Sequence, residues 1–397
     1  MLKGDTVSKP RAATPYMNIE FAQPDMTEAD AAAAADAVRS RWIVGGPRLR
    51  ELEQAFANLT QTKYALGATS WTTAGFMVLR AWELGPGDEV IVPSLSFIAT
   101  SNVVRHCGAT PVFCEVDPDT WNIDANDIEH RITTRTKAII TVDQLGNPCD
   151  MDPILDIARR DGLKVLHDAA CSTGSLYKGK ASGTGADAIV YSLHARKIVT
   201  CGEGGMICTN DEKLAAIVKL LRHQGMSISD DQRHGDSPSK FETYPIVGYN
   251  YRMTDIQAAV ALSQMKRLDQ TLAGRRNVAG RYLSALQRIR QLRTQTVLPC
   301  AVTNWQSYQV QLKSGAPMSR SELMDELWNR GIPTRRGVMV AHLEPPYRPM
   351  NVKLPVSEYV ESTTLQLPMH TGLPEDHQAH IIESLLELFS NFVFSDG

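Results

Sequence analysis

The chain has 397 residues, with 41 Lys and Arg against 44 Asp and Glu and a formal net charge of −3, too near neutral for the electrostatic attraction that nucleic-acid or anionic-membrane binding needs. Hydrophobic residues make up 43% and charged residues 21%, which excludes a disordered or fibrous chain and allows a pair of domains with a sizeable core. The seven cysteines (107, 114, 149, 171, 201, 208 and 300) are odd in number and hold no C-x-x-C pair, so a reducing cytoplasm is expected and neither a disulfide framework nor a metal site is.

The opening MLKGDTVSKPRAATP is polar and carries two prolines, so residues 1–15 are expected to be a flexible arm and not a secretory signal. TEADAAAAADAVRS, from Thr27, predicts a capped helix. Short β-branched runs then alternate with helical patterns: EVIVPS (89–94), PVFCEV (111–116), KAIITVD (137–143), LKVLHD (163–168), DAIVYS (187–192) and GMICT (205–209). These runs are apolar on both faces, so the fold class is α/β, with a mostly parallel sheet covered by helices on each side. The large domain is expected over 16–270. Beyond it, a strand-like SYQVQLK and the helices SRSELMDELWNRG and EDHQAHIIESLLELFSNF predict a smaller α+β domain over 271–397. The polar stretch 225–245 is read as a functional loop. No apolar run reaches the roughly 18 residues of a membrane helix.

Ligands of open parallel sheets sit at the carboxyl ends of the strands. LKVLHD delivers Asp168 there and DAIVYS delivers Ser192, and Lys197 follows just before the glycine-rich CGEGG turn. An acid, a hydroxyl and an amine are thereby expected to converge. The CGEGG glycines do not have the G-x-G-x-x-G spacing of a dinucleotide site, which argues against a nicotinamide dehydrogenase.

The order of SWTTAGFMVLRAWELGPGDEVIVPSLSFIATSNVV, LHDAACSTGSLYKGK, YSLHARK, CGEGGMICTND and GYNYRMTDIQAA resembles the DegT/DnrJ/EryC1/StrS group of fold type I, pyridoxal-phosphate-dependent sugar aminotransferases. The resemblance implies pyridoxal 5'-phosphate as cofactor, with pyridoxamine 5'-phosphate as its intermediate form. It makes Lys197 the amine that carries the cofactor as a Schiff base, and Asp168 the partner of the ring nitrogen. Ser70, Trp71, Thr72 and Ser192 fall at the phosphate positions, Phe97 at the stacking ring and Cys171 beside the ring hydroxyl. Asn250 corresponds to a residue that reaches the other subunit's phosphate, which implies a homodimer. His194, Tyr251 and Arg252 are candidate substrate contacts.

Several positions depart from the family's pattern. Trp71 stands for a glycine, so its ring is expected to turn outward. His167-Asp168-Ala169-Ala170-Cys171 stands for Glu-Asp-Ala-Ala-Gln, and Asp143 for a histidine. The function implied is transfer of an amino group from glutamate or glutamine to a nucleotide-linked keto sugar. The alternatives within the family are a cyclitol or other non-nucleotide ketone as acceptor, or dehydration of a deoxysugar, a reaction that uses histidine where this chain has Lys197. From another class, a regulatory protein that keeps the fold without catalysis is disfavoured by the intact Asp168 and Lys197.

Overall fold

The computed structural model describes residues 18–228 and 241–390. The expected arm at 1–15, and most of the loop expected at 225–245, lie outside the described residues. The first helix, α1 (Glu28–Arg39), starts where expected, with Thr27 and Asp30 forming a reciprocal capping box that satisfies amides with no partner inside the helix.

Seven strands form the main sheet: β1 (Tyr64–Ala68), β2 (Glu89–Pro93), β3 (Thr110–Cys114), β4 (Thr136–Val142), β5 (Lys164–Asp168), β8 (Ala188–Ser192) and β9 (Gly205–Thr209), in the order β1-β9-β8-β5-β4-β2-β3. The short strands β6 (Leu176–Tyr177) and β7 (Lys180–Ala181) belong to a separate small sheet. The neighbours from β8 across to β3 are parallel, whereas β9 runs antiparallel to both β1 and β8. The apolar runs of β2, β8 and β9 are buried throughout, as strands covered on both faces must be. Helices α2 (Pro47–Thr60), α3 (Trp71–Ala81), α4 (Ala99–His106), α5 (Ala125–Arg131), α6 (Met151–Asp161) and α7 (Glu212–Leu221) supply the covering layers, followed by α8 (Asp255–Met265) and α9 (Leu268–Leu286).

A second sheet, all antiparallel, has the order β10 (Leu292–Arg293), β12 (Tyr308–Leu312), β14 (Thr364–Leu367), β13 (Arg335–Arg336); β11 (Ala301–Val302) pairs with β6 instead. Its core gathers Tyr282, Tyr308, Leu323, Ile381 and Phe389, drawn in part from α10 (Arg320–Asn329) and α12 (Glu375–Ser390), which flank α11 (Pro355–Thr363). Ile19 belongs to this core too, so the start of the described chain packs on the second sheet. We propose that α9 is the connector between two domains. Leu268 and Leu272 in its first turns belong to a cluster of the main sheet, while Val278, Tyr282 and Leu286 belong to the second. No helix among the described residues is long and apolar enough to cross a membrane.

One long-range contact fixes the edge of the main layer. Asp255, fully buried, accepts hydrogen bonds from the amides of Gly46 (2.8 Å), Leu49 (3.1 Å) and Arg48 (3.2 Å), capping α2 from a residue that lies about two hundred positions away in the chain. The carboxylate also meets the positive end of the α2 dipole. Asp255→Ala strips these amides of their acceptor and is expected to cost about 2–3 kcal/mol, read as a lower urea midpoint; an unchanged midpoint would remove the cap from the account.

Candidate active site

The site is built from chain that leaves the carboxyl ends of the strands. After β1, Ser70 adopts an extended conformation as the N-cap of α3, and its hydroxyl accepts from the Thr73 amide at 3.1 Å. Thr73 Oγ1 in turn accepts from the Ser70 amide at 3.1 Å. The remaining first-turn amides of α3 point out of the helix, the arrangement that binds phosphate at helix N-termini. Gly205 of β9 pairs with Ala68 on one side and Ser192 on the other. A Cβ at Gly205 would lie 2.3 Å from the Ser70 carbonyl oxygen, so only glycine lets β9 lie flush against the turn. Ser192, 6% exposed, accepts from the His194 amide at 3.3 Å. Thr72 is half-buried.

Trp71 corrects the sequence expectation. Its ring points inward, is 6% exposed, and donates from Nε1 to the Val190 carbonyl at 3.2 Å. Packing decides this: an indole at the first turn of α3 finds an apolar slot under β8 and a carbonyl for its N–H, both of which solvent would not supply. Only the backbone of Trp71 remains available to an anion.

At the other end of the site, Asp168 closes β5 and is 5% exposed. Its Oδ1 accepts from the Ala170 amide at 2.9 Å and its Oδ2 from Thr100 Oγ1 at 3.4 Å. Thr100 lies in the first turn of α4 and its amide donates to the Phe97 carbonyl at 3.1 Å, so the start of that helix links the Asp168 contact to the segment that carries the Phe97 ring. That ring is 70% exposed, unusual for a phenylalanine so close behind a buried strand. Thr100 was not singled out from the sequence; its spacing of three residues from Phe97 was the available signal.

Lys197 donates to Cys171 Sγ at 3.2 Å, three residues after Asp168, so amine, thiol and carboxylate share one corner. The lysine loop is closed on itself, with the Lys197 amide on the His194 carbonyl (2.8 Å) and the Cys201 amide on that of Leu193 (3.0 Å). Two residues from the approach to β12 hold the corner in place: Gln306 Nε2 donates to the Arg196 carbonyl at 2.6 Å, and Asn304 Nδ2 to those of Cys171 (2.8 Å) and Thr173 (2.9 Å). Neither was legible in the sequence, because each acts across more than a hundred residues.

The remaining candidates divide. His194 sits 3.8 Å from Glu203 and is partly exposed. Arg252 donates to His223 Nδ1 at 2.9 Å. Tyr251 stacks on Tyr249 at 5.0 Å and meets the edge of Phe76, so its ring packs on α3. Its carbonyl accepts from the Thr69 amide at 3.0 Å, which places the GYNYR segment beside the Ser70 turn. Asn250 is exposed.

These residues fit a phosphorylated pyridine. An anion cup at α3, an uncovered aromatic ring, a dry carboxylate and an amine are the donor set its phosphate, ring face, ring nitrogen and aldehyde need. Burial pushes the Asp168 carboxyl up from 3.8 to about 6; the Ala170 amide, Lys197 and His167 oppose the rise and Asp143 adds to it. Without the cofactor, the native state therefore retains a proton that the unfolded chain has released, and stability falls as pH rises through about 4 to 6. Asp168→Asn is expected to make the cofactor-free chain more stable than wild type above pH 6, by up to about 3 kcal/mol, and to make no such difference near pH 4. A variant less stable at pH 7 in thermal melts would contradict the burial argument.

The model of the DegT/DnrJ/EryC1/StrS aminotransferase family matches residues 24–386. GDP-perosamine synthase of Caulobacter vibrioides is 43% identical over 87% of this chain and 91% of its own. The spore coat polysaccharide biosynthesis protein SpsC of Bacillus subtilis is 36% identical over 89% of this chain and 92% of its own. Among solved structures, the PMP form of the sugar aminotransferase Spr1654 of Streptococcus pneumoniae superposes with a TM-score of 0.88 at 29% identity, covering 95% of this chain and 100% of that one, and the same protein is known in a PLP form. The chain belongs to the DegT/DnrJ/EryC1/StrS aminotransferase family and is a pyridoxal-phosphate-dependent sugar aminotransferase.

Proposed function

We propose that the protein aminates a keto sugar carried on a nucleoside diphosphate, with glutamate or glutamine as the amino donor. The observation that carries the chemistry is the shared corner of Asp168, Cys171 and Lys197 at the carboxyl edge of the sheet. The nucleotide is favoured by the 43% identity to a GDP-perosamine synthase, whose product is a sugar carried on GDP.

When bound, the cofactor supplies an electron sink that stabilises negative charge on the carbon losing or gaining a proton. Asp168 would hold the proton of the ring nitrogen on which that sink depends. Lys197 would anchor the aldehyde carbon, and its amine, when free, would hold and move a proton. The α3 amides, Thr72 and Ser192 would hold the phosphate, and Phe97 would pack against the ring. Burial of Asp168 keeps bulk water from its carboxylate, which strengthens its interactions.

Purified protein incubated with pyridoxal phosphate, glutamate or glutamine, and a GDP-linked keto sugar is expected to release the donor's 2-oxo acid and an amino sugar. Lys197→Ala is expected to lower turnover by roughly 10³-fold or more; full turnover by that variant would contradict the reading.

We also propose that the site is completed by a second copy of the chain, which contributes Asn250. The exposure of Asn250, together with Val247 (87%), Phe241 (81%) and Tyr244 (55%) in the chain just before it, supports an interface there. Mixing two inactive variants, Lys197→Ala and Asn250→Ala, and allowing exchange is expected to restore about a quarter of the sites, since a hybrid dimer holds one intact site. No recovery after exchange shown by mass spectrometry would contradict a shared site.

A further inference from the structure

Two departures noted in the sequence, Asp143 and His167, are a single feature in the structure. His167 Nε2 meets Asp143 Oδ2 at 3.0 Å, and both side chains are fully buried. The second ring nitrogen of His167 bonds Thr141 Oγ1 at 2.7 Å, while the second carboxylate oxygen of Asp143 accepts from the Cys149 amide at 2.8 Å. Both polar atoms of each group are thereby satisfied, the condition under which a buried ionisable pair is tolerated.

The placement of the pair gives it its role. Thr141 stands opposite His167, and Val142 opposite Asp168, in the β4–β5 register. Successive residues of a strand point to opposite faces, so the pair lies on the other face of the sheet from the Asp168 carboxylate. It reaches that residue through the backbone, because the Asp143 amide donates to the Asp168 carbonyl at 3.2 Å. Nothing larger than glycine fits against it: a Cβ at Gly183 would lie 2.2 Å from His167 Cδ2. Beyond Asp143 the chain turns through Leu145, a branched residue at φ 61°, a conformation that persists only where neighbours enforce it. The Asp143–Cys149 bond spans that turn and closes it.

We propose that the buried Asp143–His167 pair is the positioning element of the ring-nitrogen site, holding Asp168 in register from the opposite face of the sheet. Neither residue touches cofactor or substrate; each acts through Asp168. The inference rests on the assignment of Asp168 to the ring nitrogen.

The test uses the dialysed full-length chain and pyridoxal phosphate itself as probe, reading its dissociation constant and absorbance maximum together with the melting temperature of the cofactor-free chain. Asp143→Asn keeps the shape and removes the charge; it is expected to fold, to weaken cofactor binding about tenfold and to shift the absorbance maximum. Asp143→His and His167→Asp each place like groups together and are expected to bind more weakly still, whereas the double exchange Asp143→His with His167→Asp recovers affinity to within about threefold of wild type. Wild-type affinity and absorbance in a folded Asp143→Asn would overturn the proposal, as would a double exchange no better than the single variants. Wild-type cofactor binding by Asp168→Ala would instead sink the underlying assignment of Asp168.

Discussion

A carboxylate kept dry beside an amine is the constraint from which the rest of this structure follows. Asp168 is 5% exposed, and burial pushes its pKa to about 6, a cost the fold carries. Such a group is retained where a cationic partner arrives to make use of it, and we propose that a protonated pyridine nitrogen is that partner. The covered parallel strands place the end of β5 where water cannot screen it, and the Thr100 and Ala170 contacts fix the carboxylate's direction.

The two sheets divide the work. The main sheet brings the acid, the first-turn amides of α3 and the exposed Phe97 ring to one edge, since its parallel strands all end there. Chain leading into the second sheet meets that corner with amide side chains. It supplies Asn304 and Gln306, whose amide groups tie down the Cys171 and Arg196 carbonyls on either side of the reactive pair. The lysine loop is therefore tied to the chain that leads into the second sheet.

Much of this was legible in the sequence wherever the information was local. Asp168, Ser192 and Lys197 stood out because buried β-branched runs announce their own ends, and the capping pairs Thr27 with Asp30 and Ser319 with Glu322 mark where helices begin. The order of the motifs carried the family. What was missed depends on distant neighbours. β1, the run YALGA, is poor in strand formers and is a strand because β9 pairs with it along its whole length. The direction of the Trp71 ring was set by a slot and a carbonyl under β8, and the meeting of Asp143 with His167 by the β4–β5 register.

The covalent site is the central claim, and reduction tests it directly. Borohydride treatment of the protein loaded with pyridoxal phosphate, followed by proteolysis and mass spectrometry, should find the reduced cofactor on the peptide that carries Lys197. A label on a different lysine, or none on a protein that has bound the cofactor, would contradict the account.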